Sequence, residues 1–513
     1  MTTPIPFITA THYFGRCSMG NFWNTFERYR VRNDFAEIAT DGFNTIILIL
    51  PWAHFQPQLH PIGYDQGILD RFQFLVDEAR RAGLRLMLRL GYLWDNSKAS
   101  VSTYQRYQQL FQTPAILEAW NDFVRKIESV VGEDAQDVVF FLSWEDPYWP
   151  VLRIPRATPL EKRIEYARDI GLIDFMRRRF TFPLLQKIYG VKAISYDDLP
   201  APTIQESSSL FAEFVLFFDR EYIERWILTT RAALAHDLWY EHRVDPDDVP
   251  SSPDSIEHST YKTGVACDVL YYHPKVGVGR ATPMNAKEAA NHLERTVAGF
   301  RQNNIYRLPV FLDQFNFKID NPRYPALSRV ADENIPDFLA LCEPVFRRYL
   351  VGYGIWGYRD WRNDKVFNGA FELGLKGWRV LEGDLIEKEG KYGLVLGPGA
   401  SLAQELDSSP RLPRCYLEFD RPVSPVTIEI DNGQNVLAFV ITTDLTFIEV
   451  AFKSRGRNLE IRCVDGTLCL RKVAYFAHVF TSGMRGIDGS SSTILRAIAQ
   501  LNRALLGEAP VIS

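Results

Sequence analysis

Thr45-Ile46-Ile47-Leu48-Ile49-Leu50, the stretch Ile68–Ala82 closed by Gly83, and Leu84-Arg85-Leu86-Met87-Leu88-Arg89-Leu90 decide the fold. The first run is apolar at every position, as a strand must be when both of its faces are covered. The second has helical spacing and stops at a glycine, the residue that best tolerates the left-handed turn after a helix. The third is again a strand. Strand, helix, strand in this order is a β-α-β unit, whose two strands lie parallel.

Working outward, the same alternation fills residues 1–365. Phe7–Ala10 reads as the first strand and Asn33–Thr40 as a helix. Pro114 opens a helix to about Val131, because a proline loses nothing at a first helical position. Val138–Ser143, Leu238–Val244, Val265–Tyr272, Leu308–Leu312 and Tyr353–Trp356 read as the remaining strands, with helices at Phe211–His236, Ala286–Arg301 and Asp337–Tyr349 between them. Residues 148–209, rich in proline and charge, read as an insertion. Eight strand–helix units predict an α/β fold, a (β/α)8 TIM barrel. A dinucleotide-binding sheet would need a GxGxxG turn, which Gly15 and Gly20 do not make. From residue 366 to about 480 the pattern becomes short alternating strands with Gly, Pro and Asp turns, which predicts a β-sandwich, jelly-roll-like. Residues 481–513 read as a C-terminal helix and tail.

The 513 residues are 46% hydrophobic and 24% charged, an ordinary globular balance. Aromatics reach 13%, a richness suited to clefts that hold ring-shaped ligands. Lys and Arg number 58 against 63 Asp and Glu, and the resulting charge of −5 argues against a nucleic-acid partner. No apolar run is long enough for a membrane span. The N-terminus shows no basic and apolar leader, so the expectation is a cytoplasmic protein. Cys17, Cys267, Cys342, Cys415, Cys463 and Cys469 form no metal-ligand spacing and read as buried thiols, with a Cys463–Cys469 bridge left open. No metal or organic cofactor is implied, and the oligomeric state is open.

In such a barrel the reacting groups stand at the C-terminal ends of the strands. Strand two ends in Trp52 and His54. Strand three carries Arg85, Met87 and Arg89 on the face opposite its leucines, which points Arg89 inward. Strand four ends in Ser143-Trp144-Glu145-Asp146-Pro147, strand five in Glu241, strand six in Tyr272 and His273, strand seven in Asp313 and Gln314, and strand eight in Trp356. Carboxyls on strands four and seven are what glycosidic cleavage requires, one to protonate the leaving oxygen and one to attack carbon or activate water. Trp52, Trp144, Tyr272 and Trp356 are the candidate faces for sugar rings.

Gly42-Phe43-Asn44-Thr45, Pro51-Trp52 with Phe55-Gln56-Pro57, and Leu69-Asp70-Arg71-Phe72 followed by Ala82-Gly83-Leu84 resemble the clan A glycoside hydrolases, retaining (β/α)8 glycosidases with cellulase-like and β-galactosidase-like branches. The resemblance implies cleavage of β-glycosidic bonds by two carboxylates. The clan's acid/base motif, Trp-Asn-Glu-Pro, appears here as Trp144-Glu145-Asp146-Pro147. Its strand-seven nucleophile column falls on Gln314, one place after Asp313. Matched column by column, Asp146 is the acid/base and the nucleophile is missing. With both strand ends slipped by one residue, Glu145 is the acid/base and Asp313 the nucleophile, and this is the preferred pair. The resemblance further implies that Tyr272 orients the nucleophile, Trp356 is a sugar platform and Arg89 tunes the carboxylates. From their places at the strand ends, Glu241, His54, His273 and Gln314 are further candidate substrate contacts. A substrate-assisted or transglycosylating enzyme and a glycan-binding protein that no longer cuts are the alternatives. Asn368-Gly369-Ala370-Phe371-Glu372 and Gly377-Trp378 resemble the opening of jelly-roll carbohydrate-binding modules.

Overall fold

The computed structural model describes residues 7–94, 97, 99–132, 135–190, 192–203, 208–243, 262–271, 283–317, 330–481 and 483–507. Eight parallel strands close a barrel: β1 (Ile8–His12), β2 (Thr45–Leu50), β3 (Arg85–Leu90), β4 (Val138–Ser143), β5 (Leu238–Arg243), β6 (Cys267–Tyr271), β7 (Val310–Phe315) and β8 (Gly352–Ile355), each paired with its sequence neighbours and β1 with β8. The expected barrel is therefore present.

Side-chain alternation sorts each strand into two faces. Ile8, Ala10, Ile47, Met87, Phe141, Trp239, Cys267, Val269 and Phe311 point inward and form a closed apolar plug. The alternate residues, such as Ile46, Leu48, Leu86, Leu88, Phe140 and Leu142, face the surrounding helices in the larger core. One step further along the inward faces the residues become polar, and that layer is the floor of the barrel mouth.

Most elements lie where the pattern put them, with shifted ends. β1 continues to His12 rather than stopping at Ala10. β7 is displaced from Leu308–Leu312 to Val310–Phe315 and carries a bulge, two residues (Asp313 and Gln314) standing where Gly354 of β8 offers one. Gln314 has φ 49°, so the alternation breaks there and Phe315 returns to the outer core. The long helix expected at Phe211–His236 is two α-helical lengths, Ser208–Phe217 and Glu224–Ala233, joined by one π-helical stretch, Phe218–Ile223. The proline- and charge-rich insertion contains the helices Leu160–Asp169, Leu172–Arg179 and Phe182–Tyr189.

After β8 the chain builds two five-stranded antiparallel sheets that share one core, including Leu394, Leu417, Ile428, Ile461 and Leu470. The chain then returns to the barrel. Ile494, Leu495, Ile498, Leu501 and Leu505 of the helix Thr493–Leu506 belong to the barrel's own outer core. Asn502 accepts from the Tyr353 hydroxyl (2.5 Å) and donates to the Asp41 carbonyl (3.2 Å). Gly42 turns at φ 81°, and a β-carbon there would lie 3.1 Å from Asn502 Cβ, so the approach of this helix uses the absence of a side chain. The C-terminal stretch is thus a barrel helix, and the sandwich sits in sequence between β8 and that helix.

The residues that resemble a carbohydrate-binding module's opening face the barrel. The Glu372 carboxylate accepts from the Arg28 N–H (2.7 Å) at the start of the helix Arg28–Thr40, and the Asn368 N–H donates to the Asn24 carbonyl (2.7 Å). Trp378 is buried and donates to the Asn368 carbonyl (3.0 Å). Here the motif braces two domains. All six cysteines are free thiols, so Cys463 and Cys469 are not bridged.

Candidate active site

The polar floor is built by inward positions of six strands. Arg89 of β3 is wholly buried, as its place opposite the leucines predicted. Its guanidinium grips Asp146 with two bonds, Nε to Oδ2 at 2.9 Å and Nη2 to Oδ1 at 3.0 Å, the planar fork-to-carboxylate match that arginine makes best. The same Nη2 reaches Glu145 Oε2 at 3.3 Å, and Nη1 lies 4.0 Å from Glu241 Oε1. Burial alone would lower the pKa of Arg89, but Asp146, Glu241 and Glu145 hold it well above the usual value. The Leu93 N–H also donates to Asp146 (3.1 Å). Burial and the nearby Glu145 push Asp146 up to about 6 despite its arginine.

Across the floor, β7 presents Asp313. His12, at the end of β1, bonds Asp313 Oδ1 through Nε2 at 2.8 Å, and both side chains are 0% exposed. Glu241 of β5 accepts from the Ser143 hydroxyl. The other carboxyl oxygens, Glu241 Oε2 and Asp313 Oδ2, are buried and receive no N–H or hydroxyl donor from the described residues. A proton on Glu241, donated to Asp313, resolves this. Burial and the charge of Asp313 raise Glu241 well above the carboxylate range. Burial would raise Asp313 too, but His12, the hydrogen bond from Glu241 and the Gln314 N–H hold it below its ordinary value. One acid is neutral and its neighbour ionised, as two carboxyls in one dry site require. Gly354 leaves the room: a β-carbon there would stand 2.6 Å from Ile47 Cδ1 and 3.2 Å from Asp313 Oδ1.

Ser143 links the two halves. It donates to Glu241 and accepts the Glu145 N–H (3.2 Å), which fixes the start of the helix Glu145–Leu152. Glu145 is the strand-four carboxyl that retains access to solvent, at 14% side-chain exposure, while Asp146 is sealed against Arg89 at 0%. Of the two acid/base candidates Glu145 is the more accessible, while Asp313, like Asp146, is fully buried. Burial raises both Asp146 and Glu241.

The aromatic expectations divide. Trp356 is half-buried, with its ring 4.9 Å from His12 and 5.6 Å from Phe14, beside the bonded Asp313. Trp52 is not at the mouth. It is wholly buried among Trp120, Phe123 and Tyr107, donates to Gln56 (2.8 Å) and lies under the Arg106 guanidinium. Trp144 is likewise core, stacked on Tyr148 at 4.4 Å and edged by Phe218. Both follow strand ends, but a short helix begins there and turns each ring outward into packing. His54 is buried on the helix Trp52–Phe55. Gln314 is buried beside the bulge, and its amide nitrogen has no hydrogen-bond partner among the described residues. Tyr272 and His273 lie outside the described residues. The tyrosine at inward parity on β6 is Tyr271, paired in register with Asp313.

Three residues of this region are not foreseen from the sequence. His12 is hidden when β1 is ended at Ala10, although Ile8, Ala10 and His12 share one parity. Tyr92 stacks on the Arg89 guanidinium at 5.1 Å, and Trp94 follows it with 40% of its surface exposed. Among the described residues no group of three or more His, Cys, Asp or Glu is placed to hold a metal ion, and no helix is long and apolar enough to cross a membrane.

No family model and no curated protein matches the sequence. Solved structures similar to the chain include the exo-β-1,4-mannosidase Op5Man5 from Opitutaceae bacterium strain TAV5, at 16% identity and TM-score 0.41 over 69% of this chain and 52% of that one. The chain therefore spans about half the length of that enzyme. A GH5_18 protein from Streptomyces cattleya in complex with GlcNAc is 14% identical over 69% of this chain and 72% of that one, with TM-score 0.42. The endo-1,4-β-mannanase from Rhizomucor miehei is 10% identical over 68% of this chain and 85% of that one, with TM-score 0.40.

Proposed function

We propose that the barrel mouth hydrolyses β-glycosidic bonds in oligo- or polysaccharides by a retaining, two-carboxylate mechanism. The observation that carries the reading is the division of labour across one buried layer. Asp313 is held ionised by His12 and by a neutral Glu241, while Glu145 reaches solvent from the opposite side. Asp313 attacks the anomeric carbon, displacing the leaving oxygen, which takes its proton from Glu145. Water then enters, gives a proton to Glu145 and releases the sugar from Asp313. Trp356 offers a face for the ring under attack, and Arg89 holds Glu145 in place. The reaction consumes water and needs no redox partner.

Turnover of aryl β-glycosides tests this. Glu145→Gln and Asp313→Asn are each expected to lower kcat by on the order of 10²-fold or more, with folding retained, since each swap keeps the shape of the side chain. Near-normal turnover in both variants would defeat the assignment. A second reading, glycan binding without cleavage, is favoured by the complete burial of Asp313 and by Gln314 at the strand-seven column. It predicts saccharide affinity in the native protein with no hydrolysis of any glycoside.

A further inference from the structure

The loop after β3 and the first helix after β4 carry aromatic side chains that the floor does not use. Tyr92 covers the Arg89 guanidinium, Trp94 lies 5.5 Å from Tyr92, and Trp149 meets Trp94 edge-on at 6.2 Å. Trp149 stands four residues after Glu145 on the helix Glu145–Leu152, so the two side chains share a helix face. One side of the Trp149 ring is covered by the Arg153 guanidinium at 3.8 Å. Tyr92 is 5% exposed and Trp149 half-buried, whereas Trp94 shows 40% of its surface. The run therefore begins at the carboxyl that would protonate a leaving group and ends at an open indole.

We propose that Trp94 and Trp149 form a binding site for the leaving-group side of the substrate, and that the substrate is a β-linked oligosaccharide whose next ring lies on Trp94. This rests on Glu145 as the acid of the proposed reaction. An acid stands against the oxygen being expelled, so whatever is attached to that oxygen continues past Glu145, away from Asp313 and Trp356. On that path the protein offers indole rings, which pair an apolar face with a polar N–H and suit the C–H face and hydroxyl rim of a pyranose. Continuity with the acid singles out a sugar over a protein as the occupant.

The test compares native protein with Trp94→Ala and Trp94→Phe, at a surface position where folding is little affected. Substrates are β-1,4-linked gluco- and manno-oligosaccharides of increasing length, and aryl β-glycosides of the same sugars. Trp94→Ala is expected to lower kcat/KM for oligosaccharides about tenfold, through KM, and to leave aryl glycosides within about twofold; Trp94→Phe restores most of the loss. Equal behaviour of native and Trp94→Ala protein on every oligosaccharide overturns the inference while leaving the hydrolase reading intact. If no glycoside is cut, the hydrolase reading falls, and calorimetric titration of the same oligosaccharides decides the site. Affinity lost in Trp94→Ala supports it. Unchanged affinity, no binding, or a changed oligomeric state in the variant overturns it.

Discussion

The two halves of the barrel floor bury acids by opposite means. On the β3–β4 side a cation does the work: Arg89 spans Asp146 and Glu145 with a guanidinium that cannot lose its proton at any ordinary pH. On the β5–β7 side a proton does it: Glu241 is neutral so that Asp313 can stay charged against His12. The lesson is that four carboxyls in one layer do not form a uniform acidic patch. Arg89 keeps its charge in one half, but Asp146 beside it, raised to about 6, and the Glu241–Asp313 pair in the other half both respond to pH. A reacting carboxylate is better served by the second kind of neighbour, because a neutral donor orients it without cancelling its charge.

The same contrast recurs where the sandwich meets the barrel. Burial would raise Glu27, but Arg30 and Lys472 overcome it and hold Glu27 down at about 2. Glu372, buried at the head of the helix Arg28–Thr40, is pushed up to about 7, chiefly by desolvation. One seam carboxylate has two close cations; the other has the Arg28 backbone N–H and the Arg28 Nε at 3.9 Å.

The largest effect is expected from Arg89→Leu. It strips the cation from Asp146 and Glu145 and should cost about 3–5 kcal/mol in denaturant unfolding, the scale for leaving a buried charge unpaired. A loss below about 1 kcal/mol would mean the β3–β4 half also lives on protons. Glu241→Ala comes next, at about 2 kcal/mol, while Glu241→Gln should cost under about 1 kcal/mol because its amide still donates to Asp313. The infrared difference spectrum between native and Glu241→Gln protein at about pH 7 should carry a carboxylic acid C=O band that the substitution removes. A pH-graded effect follows at the seam. Glu372 is raised from 4.5 to about 7, so its share of stability is complete below 4.5 and is lost as pH climbs toward 7. Glu27 is lowered from 4.5 to about 2, so its share is present above 4.5 and is lost as pH falls toward 2. Melting curves should lose the first slope in Glu372→Gln and the second in Glu27→Gln. A change of about 1 kcal/mol is expected for Asn502→Ala, which removes hydrogen bonds at the returning helix and touches neither device.

The barrel was legible because burial on two sides leaves strands such as Thr45–Leu50 no polar position, and Gly83 marks where a helix must stop. Strand-end logic also reached Arg89, Glu241 and Asp313, since parity along a strand fixes which side chains face in. It failed where parity ends. Trp52 and Trp144 sit one or two residues past a strand, where a short helix sets the direction of the ring. The positive φ of Gln314 resets parity at the strand-seven motif, and a bulge leaves no mark in hydrophobic pattern. His12 was lost to a boundary two residues short, and Trp94 to a loop with no period. The helix Thr493–Leu506 was itself legible, but its docking on the barrel was not: its partners Asp41 and Tyr353 are distant in sequence, and only packing brings them to Asn502.

Asp313 as the attacking carboxylate is the claim on which the account turns, and covalent trapping addresses it in the unmodified protein. An aryl 2-deoxy-2-fluoro-β-glycoside slows release of a glycosyl-enzyme, and peptide mass spectrometry then locates the added sugar. The account predicts a single adduct on Asp313, absent from Asp313→Asn. An adduct on any other residue, or rapid cleavage of the parent glycoside with no adduct formed, would contradict it.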